Sequence, residues 1–144
     1  MKTVVQRVLS ASVSVNGKVV SKIDKGYLVL VGIENGDCVQ EVEKIANKLA
    51  ALRIFSDEND KINLSIQDVG GSILAVSQFT LCADASHGNR PNFIKAAPPQ
   101  QAKELFDKFT QFLRNKGIEV KEGLFGEHML VALENDGPFT ICLP

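Results

Sequence analysis

The chain has almost no net charge. Its 16 Lys and Arg against 17 Asp and Glu leave −1 over 144 residues. That removes the broad basic field of most nucleic-acid-binding domains, so an RNA partner would be met through a local patch or a shaped pocket. No apolar run approaches the ~20 residues of a membrane-spanning helix. No signal peptide is expected either, because Met1-Lys2-Thr3 leads straight into a strand-like pattern. Cysteines are few, odd in number and far apart: Cys38, Cys82 and Cys142. No pair has metal-ligand spacing, which predicts reduced thiols in a cytoplasmic protein. The two histidines, His87 and His128, are not at zinc spacing. A P-loop, a dinucleotide fingerprint and a glycine-flanked nucleophile elbow are all missing. The acidic run Asp57-Glu58-Asn59-Asp60 lacks the glycine and later glutamate of a calcium loop, so it reads as a solvated turn. No metal and no cofactor are therefore expected.

What is present is an ordinary globular composition, 44% hydrophobic and 23% charged, which predicts one domain over residues 1–144. From Thr3 to Val15 the odd positions carry Val5, Leu9, Ala11, Val13 and Val15, and even positions carry Ser10, Ser12 and Ser14. That alternation predicts a strand with one buried face. Arg7 falls on the apolar side, either at a local bulge or snorkelling to the edge, or as a buried guanidinium holding backbone carbonyls. Asn16-Gly17 signals a hairpin, returning through Val19–Ile23, and Tyr27–Ile33 reads as a central strand. A helix fits residues 38–52, with Val39, Val42, Ile45, Ala46, Leu49 and Leu52 at helical spacing. Arg53–Phe55 is a candidate short strand, and 63–71 reads as irregular. A second helix starts at Pro98-Pro99 and ends at Gly117, its phenylalanines facing the core. Strands are then expected over Val120–Phe125, His128–Glu134 and Phe139–Leu143, the last two joined by a tight turn at Asn135-Asp136-Gly137-Pro138. The order predicts an α/β fold in the α+β range, two packed β-sheet layers with helices against one face.

The chemistry concentrates at Ser77-Gln78-Phe79-Thr80-Leu81. This segment closes the apolar strand Ile73-Leu74-Ala75-Val76, and α/β folds place ligands at strand ends. Polar side chains there either satisfy neighbouring backbone groups or meet a ligand. The polar loop over 82–97 follows directly and should form the rim of the same site. Cys82 lies beside it, but only Arg90 is near in sequence to stabilise a thiolate.

Ser77-Gln78-Phe79-Thr80-Leu81 together with Asn135-Asp136-Gly137-Pro138-Phe139-Thr140 resembles the paired signature of the D-aminoacyl-tRNA deacylases. The resemblance runs along the whole chain, through Arg7, Leu52-Arg53-Ile54-Phe55, Lys61-Ile62-Asn63-Leu64-Ser65, Gly88-Asn89-Arg90-Pro91, and Gly123 with Met129. It implies hydrolysis of the ester joining a D-amino acid to the terminal adenosine of tRNA, by a homodimer with a dedicated fold of packed sheets and helices. It also implies that Gly137-Pro138 is a Gly-cisPro pair reaching into the partner subunit's pocket as a chiral gate, and that Arg7 braces it. Ser77, Gln78, Phe79 and Thr80 are then the catalytic segment, and Met129 a substrate-binding residue. Two departures stand out: Phe139 replaces the commoner valine, and Ser86-His87-Gly88-Asn89 is less basic than usual, so no strong phosphate contact is implied there.

Two mechanisms fit. Thr80 acts as a nucleophile, although no base is evident for it. Alternatively, the chain only orients the ester and stabilises its oxyanion with backbone N–H groups, while the substrate's ribose 2′-hydroxyl assists water. The missing base favours the second. Two other functions remain open: a non-catalytic RNA-binding module anchored by Arg90 and Lys95, and an esterase or amidase acting on D-amino acid derivatives without tRNA.

Overall fold

In the computed structural model, which describes residues 1–144, the elements run β1 (Lys2–Val15), β2 (Lys18–Ile23), β3 (Gly26–Gly32), α1 (Val39–Ala51), β4 (Arg53–Ser56), β5 (Ile62–Ser65), β6 (Ser72–Ser77), a 3-10 turn over Phe79–Cys82, α2 (Pro99–Asn115), β7 (Glu119–Glu122) and β8 (Leu130–Leu143). Six strands form one sheet, while β4 and β5 form a second. The first hairpin closes at Asn16 and Gly17, both at positive φ, as the primed turn requires.

The length of β1 organises the large sheet. Its first half, Lys2–Val8, pairs antiparallel with β3, and its second, Ala11–Val15, pairs with β2. Along its other edge it carries β8 from Thr3 to Ser14. On the far side of β3 lie β6 and then β7, both parallel. The β3–β6 pair is buried on both faces. Tyr27, Val29, Val31, Ile73 and Ala75 face the core shared with Val42, Leu49, Phe106 and Phe109 of the two helices. Leu28, Leu74 and Val76 face a smaller core closed by Val8, Ala11, Val13 and Ile23. The two expected layers are thus parts of one sheet folded over itself, with the helices on one face only.

Three expectations are corrected. Leu9 is not on the buried face; it is 54% exposed. Pairing with β8 slips between Val8 and Ser10, leaving Leu9 as the extra residue of a bulge. The bulge also reverses the facing beyond it: Val5 enters the helix-covered core and Val8 the smaller one by ordinary alternation, and after the extra residue Ala11 and Val13 join Val8.

Second, Asn135-Asp136-Gly137-Pro138 does not reverse the chain as a tight turn. Both halves of β8 pair antiparallel with β1, Val8 with Asn135 and Gln6 with Thr140, and the residues between bulge out. A hairpin would need a new edge for the returning strand; β1 is long enough to offer one edge to both halves. Asn135 closes the neck of the bulge, accepting from the Phe139 N–H at 2.8 Å and donating to Thr140 Oγ1 at 2.9 Å.

Third, the stretch expected to be irregular opens with the end of β5, because Arg53 Nε donates to the Asn63 carbonyl at 2.8 Å and draws it onto β4. The last strands are also shorter at their inner ends: β7 stops at Glu122, and His128 precedes β8.

Candidate functional site

β6 ends beside the end of β3, where Ser77 pairs with Val31 and the Gln78 N–H donates to the Val31 carbonyl at 2.8 Å. The chain then tightens into the Phe79–Cys82 turn. Gly32 permits this approach: a Cβ there would lie 3.0 Å from Leu81 Cβ and 3.1 Å from the Gln78 carbonyl oxygen. The crevice at the carboxyl ends of parallel strands is where such sheets bind ligands. Here it opens into a cavity of about 760 Å³, within the usual range for small-molecule sites.

Ser77, Gln78 and Phe79 form one wall of the cavity, Met129 and Val131 a second, and the segment from Phe93 to Pro99 a third. Phe79 is 57% exposed and meets Phe93 edge to face, with centroids 5.1 Å apart. Met129 has its place because residue 123 is glycine; a Cβ there would lie 2.6 Å from the Met129 sulfur. Thr80 sits in the turn but not on the cavity wall. Its hydroxyl accepts from the Gln78 carboxamide, and no basic side chain bonds to it. Cys82 is buried behind the turn, its thiol directed at the Ile33 carbonyl. Burial, reinforced by the charge of Glu34, pushes that thiol up, away from the thiolate. No group of three His, Cys, Asp or Glu side chains could hold a metal ion.

Sequence reasoning missed Asn35, Glu127 and His128 on this cavity. Phe93 lies in the 82–97 loop expected at the rim, an aromatic residue in a polar stretch. Asn35 and His128 carry no such signal, because chain folding alone brings them to the wall. His87 stays away, exposed in its loop, where its Nδ1 lies 2.9 Å from Ser86 Oγ.

The other singled-out residues gather elsewhere. Arg7 is 8% exposed. Its Nη1 donates to the Ile54 carbonyl at 2.7 Å and its Nε to the Asp136 carbonyl at 3.0 Å. The Asp136 carboxylate lies 3.5 Å from the same nitrogen, and the guanidinium sits 4.8 Å from the Phe139 ring centroid. Both readings of Arg7 therefore hold: it lies at a register slip, and it is a buried guanidinium on backbone carbonyls. Beneath it Tyr27 stacks on Phe55 at 5.2 Å. Burial pushes the Tyr27 phenol up, against the opposing charge of Arg7. The Gly137–Pro138 bond is cis, and Gly137 has φ +136. A Cβ at 137 would come within 3.2 Å of Arg7 Nη2, so the bulge fits over the guanidinium only with glycine there.

Arg7, Gly137 and Pro138 do not line the cavity. Met129 stands at the end of β8 that pairs with Ser14, and Gly137 beyond the residue that pairs with Val8. At about 3.3 Å per residue the intervening strand separates them by roughly 20 Å. Gly137 and Pro138 are exposed there.

The family model described as D-Tyr-tRNA(Tyr) deacylase matches residues 4–144. Over 143 residues the chain is 53% identical to the D-aminoacyl-tRNA deacylase of Lactobacillus gasseri, covering 99% of each. It is 54% identical to that of Thermomicrobium roseum, covering 99% of this chain and 93% of the relative. Among solved structures, a c-Myc DNA unwinding element binding protein superposes with a TM-score of 0.94 at 42% identity, over 100% of this chain and 98% of that one. A probable eukaryotic D-amino acid tRNA deacylase superposes at 0.82 and 19% identity, over 99% and 97%, a likeness of fold.

Proposed function

The chain belongs to the D-Tyr-tRNA(Tyr) deacylase family, and from that membership we infer that it is a hydrolase cleaving the ester of D-aminoacyl-tRNA to free D-amino acid and tRNA. The observation that supports a site for this reaction is the cavity where β6 ends in Ser77-Gln78-Phe79. Its volume suits an aminoacyl group with its terminal adenosine. Recognition of the 3′ end through a shaped cavity also fits a chain with a net charge of −1.

In the mechanism favoured by this geometry, Thr80 is not a nucleophile, since its hydroxyl is bonded to Gln78 and has no base beside it. Water attacks the ester carbonyl carbon. The oxyanion that develops is met by the N–H group of Phe79, which lies on the cavity wall at the start of the 3-10 turn and has no partner inside that turn. The ribose 2′-hydroxyl relays the proton from water to the departing 3′ oxygen, and the carbon–oxygen bond to ribose breaks. Orientation and oxyanion stabilisation supply the rate, because the aminoacyl ester is already labile.

Chirality is assigned to a second copy of the chain. Gly137 and Pro138 stand exposed, roughly 20 Å along the sheet from their own cavity. A homodimer that brings them to the partner's cavity gives it a rigid backbone wall, which excludes an L side chain and leaves room for hydrogen. Glycine on tRNA, with no side chain to reject, falls within the same reading. The cytoplasm is the compartment this substrate assigns, and the whole of 1–144 acts as one deacylase domain.

The test is release of labelled amino acid from matched D- and L-aminoacyl-tRNA, with the mass of the protein measured in solution. Fast release from the D form by a dimer is expected. Binding of tRNA without release would leave an RNA-binding module. Equal cleavage of free D-aminoacyl esters would leave an esterase that ignores tRNA.

A further inference from the structure

We propose that Ser21 is a positioning residue of this cavity: its hydroxyl, reaching across from the first hairpin, holds the end of β7 and through it the wall that bears Met129. The proposal rests on the deacylase reading and adds to it a residue that does not itself line the cavity.

The Met129 wall hangs between two strands. β7 ends at Glu122 and β8 begins at Leu130. Between them Phe125, Gly126, Glu127, His128 and Met129 all line the cavity. Few bonds hold this connection along its length. The Gly123 N–H donates to the Ala75 carbonyl at 3.2 Å, and the Glu127 N–H closes a turn onto the Leu124 carbonyl at 3.2 Å, with Gly126 at positive φ. Phe125 leans on Phe106 of α2, the ring centroids 6.3 Å apart. The place of Met129 is therefore set chiefly at the two ends.

Both ends are fixed to the β1–β2 hairpin. At the exit, Leu130 pairs with Ser14 of β1. At the entrance the attachment is different, because β2 pairs with β1 and β7 with β6, but β2 and β7 do not pair with each other. Two side chains cross that seam. The Ser21 hydroxyl donates to the Glu122 carbonyl, and Lys121 Nζ donates to the Lys22 carbonyl at 2.9 Å. Ser21 stands opposite Val13, and a Cβ at 123 would lie 3.6 Å from the Val13 side chain. The hydroxyl thus acts on the residue just before the glycine that makes room for the Met129 sulfur. Arg114 of α2 holds β7 separately, through the Val120 carbonyl at 2.7 Å and the Glu122 carboxylate at 2.9 Å. Loss of the Ser21 hydroxyl therefore frees the start of the connection while β7 stays on its helix. At a half-exposed seam water replaces the lost partner, so folding as a whole is little affected. The segment loosens locally instead. Substrate must then order it on binding, which weakens the ground state and the transition state alike.

The test compares Ser21→Val with Ser21→Thr, two β-branched variants of one shape that differ by the hydroxyl. Ser21→Val should raise KM for D-aminoacyl-tRNA about three- to tenfold, the worth of one ordinary hydrogen bond, with kcat within about twofold. Ser21→Thr should keep the parent KM. Ser21→Ala should behave like Ser21→Val, which covers a failure of the bulkier variant to fold. In the Met129→Ala background Ser21→Val should add nothing further, as expected if it acts through that side chain. A readout apart from turnover comes from Leu124→Trp. The chain has no tryptophan, so the single indole reports on the connection, and its quenching by acrylamide should rise in Ser21→Val and not in Ser21→Thr. Equal KM values in Ser21→Val and Ser21→Thr, additive effects of Ser21→Val and Met129→Ala, or equal quenching in the two variants would overturn the proposal. Absence of D-aminoacyl-tRNA turnover in the unsubstituted protein would instead overturn the deacylase reading, and the quenching comparison would still decide whether Ser21 holds the wall.

Discussion

The cavity and the Arg7 cluster are built by opposite means. The cavity is shaped by clearance: Gly32 lets the Phe79–Cys82 turn close on β3, Gly123 leaves room for the Met129 sulfur, and two exposed rings stand at its mouth. The Arg7 cluster is shaped by directed bonds, one buried guanidinium tying Ile54 and Asp136 together under the ring of Phe139. A site built from clearance tolerates changes in hydrogen bonding and is sensitive to added volume. A site built from bonds is the reverse. The contrast suits the tasks proposed for them, since a substrate must enter and leave the first, whereas the second excludes by not yielding.

The largest effect that would break this comparison belongs to Arg7. Arg7→Ala leaves the Ile54 and Asp136 carbonyls without their donor and removes the contact with Phe139. Charge-assisted bonds of this kind are worth roughly 1.5–3 kcal/mol each, so a loss of about 3 kcal/mol is expected in denaturant unfolding. In the surviving folded protein the D-over-L preference should fall, because the bulge is no longer braced. Arg7→Lys should not rescue it, since one ammonium cannot reproduce a fork that reaches two carbonyls. Stability within 0.5 kcal/mol of the parent would show that the bulge holds its shape without the guanidinium.

Gly123→Ala should show the opposite pattern. The added methyl meets the Met129 sulfur, the movable end of a flexible side chain, so stability should change by less than about 1 kcal/mol. The displaced thioether then fills part of the cavity, and KM for D-aminoacyl-tRNA should rise, at most about tenfold, with little change in kcat. Adding Met129→Ala should return KM toward the parent. A large stability loss with an unchanged KM would mean that Gly123 serves the fold and not the cavity.

This contrast also governs what was legible in the sequence. The buried strand Ile73–Val76, the phenylalanine stripe of α2 and the hairpin at Asn16-Gly17 were legible because each depends on local periodicity or turn chemistry. Arg7 was conspicuous as a charge at an apolar position. Leu9 was misread because one inserted residue inverts the facing of everything beyond it, and the inversion is defined by a partner strand distant in sequence. The passage of β8 through Asn135–Pro138 was hidden for a related reason: glycine and proline signal a departure from regular pairing, but whether the chain returns or continues depends on the length of β1. The walls formed by Asn35, Phe93 and His128 come from three separate segments, and no pattern within any one of them announces the others.

Thr80 should have a smaller effect than either. Its hydroxyl takes part in one exposed bond, from Gln78, and does not reach the cavity wall. Thr80→Val should therefore slow turnover by about two- to tenfold, the worth of one ordinary hydrogen bond. A loss of a thousandfold or more, or a covalent acyl group trapped on Thr80, would replace the oxyanion mechanism with a nucleophilic one.

The smallest effect should come from the cysteines, and it tests whether the turn beside the cavity is chemistry or packing. Cys82 ends the turn that the proposed oxyanion donor, Phe79, begins, but its side chain is buried, near the Ile33 carbonyl. Burial first, and then the charge of Glu34, push its thiol up, so at neutral pH it is neither a nucleophile nor accessible to a reagent. A folded-state value raised in this way favours the folded chain while the thiol is neutral, a contribution lost only as pH rises through the alkaline range. Cys38 and Cys142 are exposed and should be the two that react with a thiol reagent at pH 7. Reaction at both should leave turnover within about threefold, because neither lines the cavity. Cys82→Ala removes one small buried group, and should lower stability by about 1 kcal/mol while leaving kcat within the same range. Complete inactivation of the folded protein by a thiol reagent, prevented by Cys82→Ala, would show that the Phe79–Cys82 turn opens in solution and exposes its thiol, and the rigid placement of the Phe79 N–H group would have to be abandoned with it.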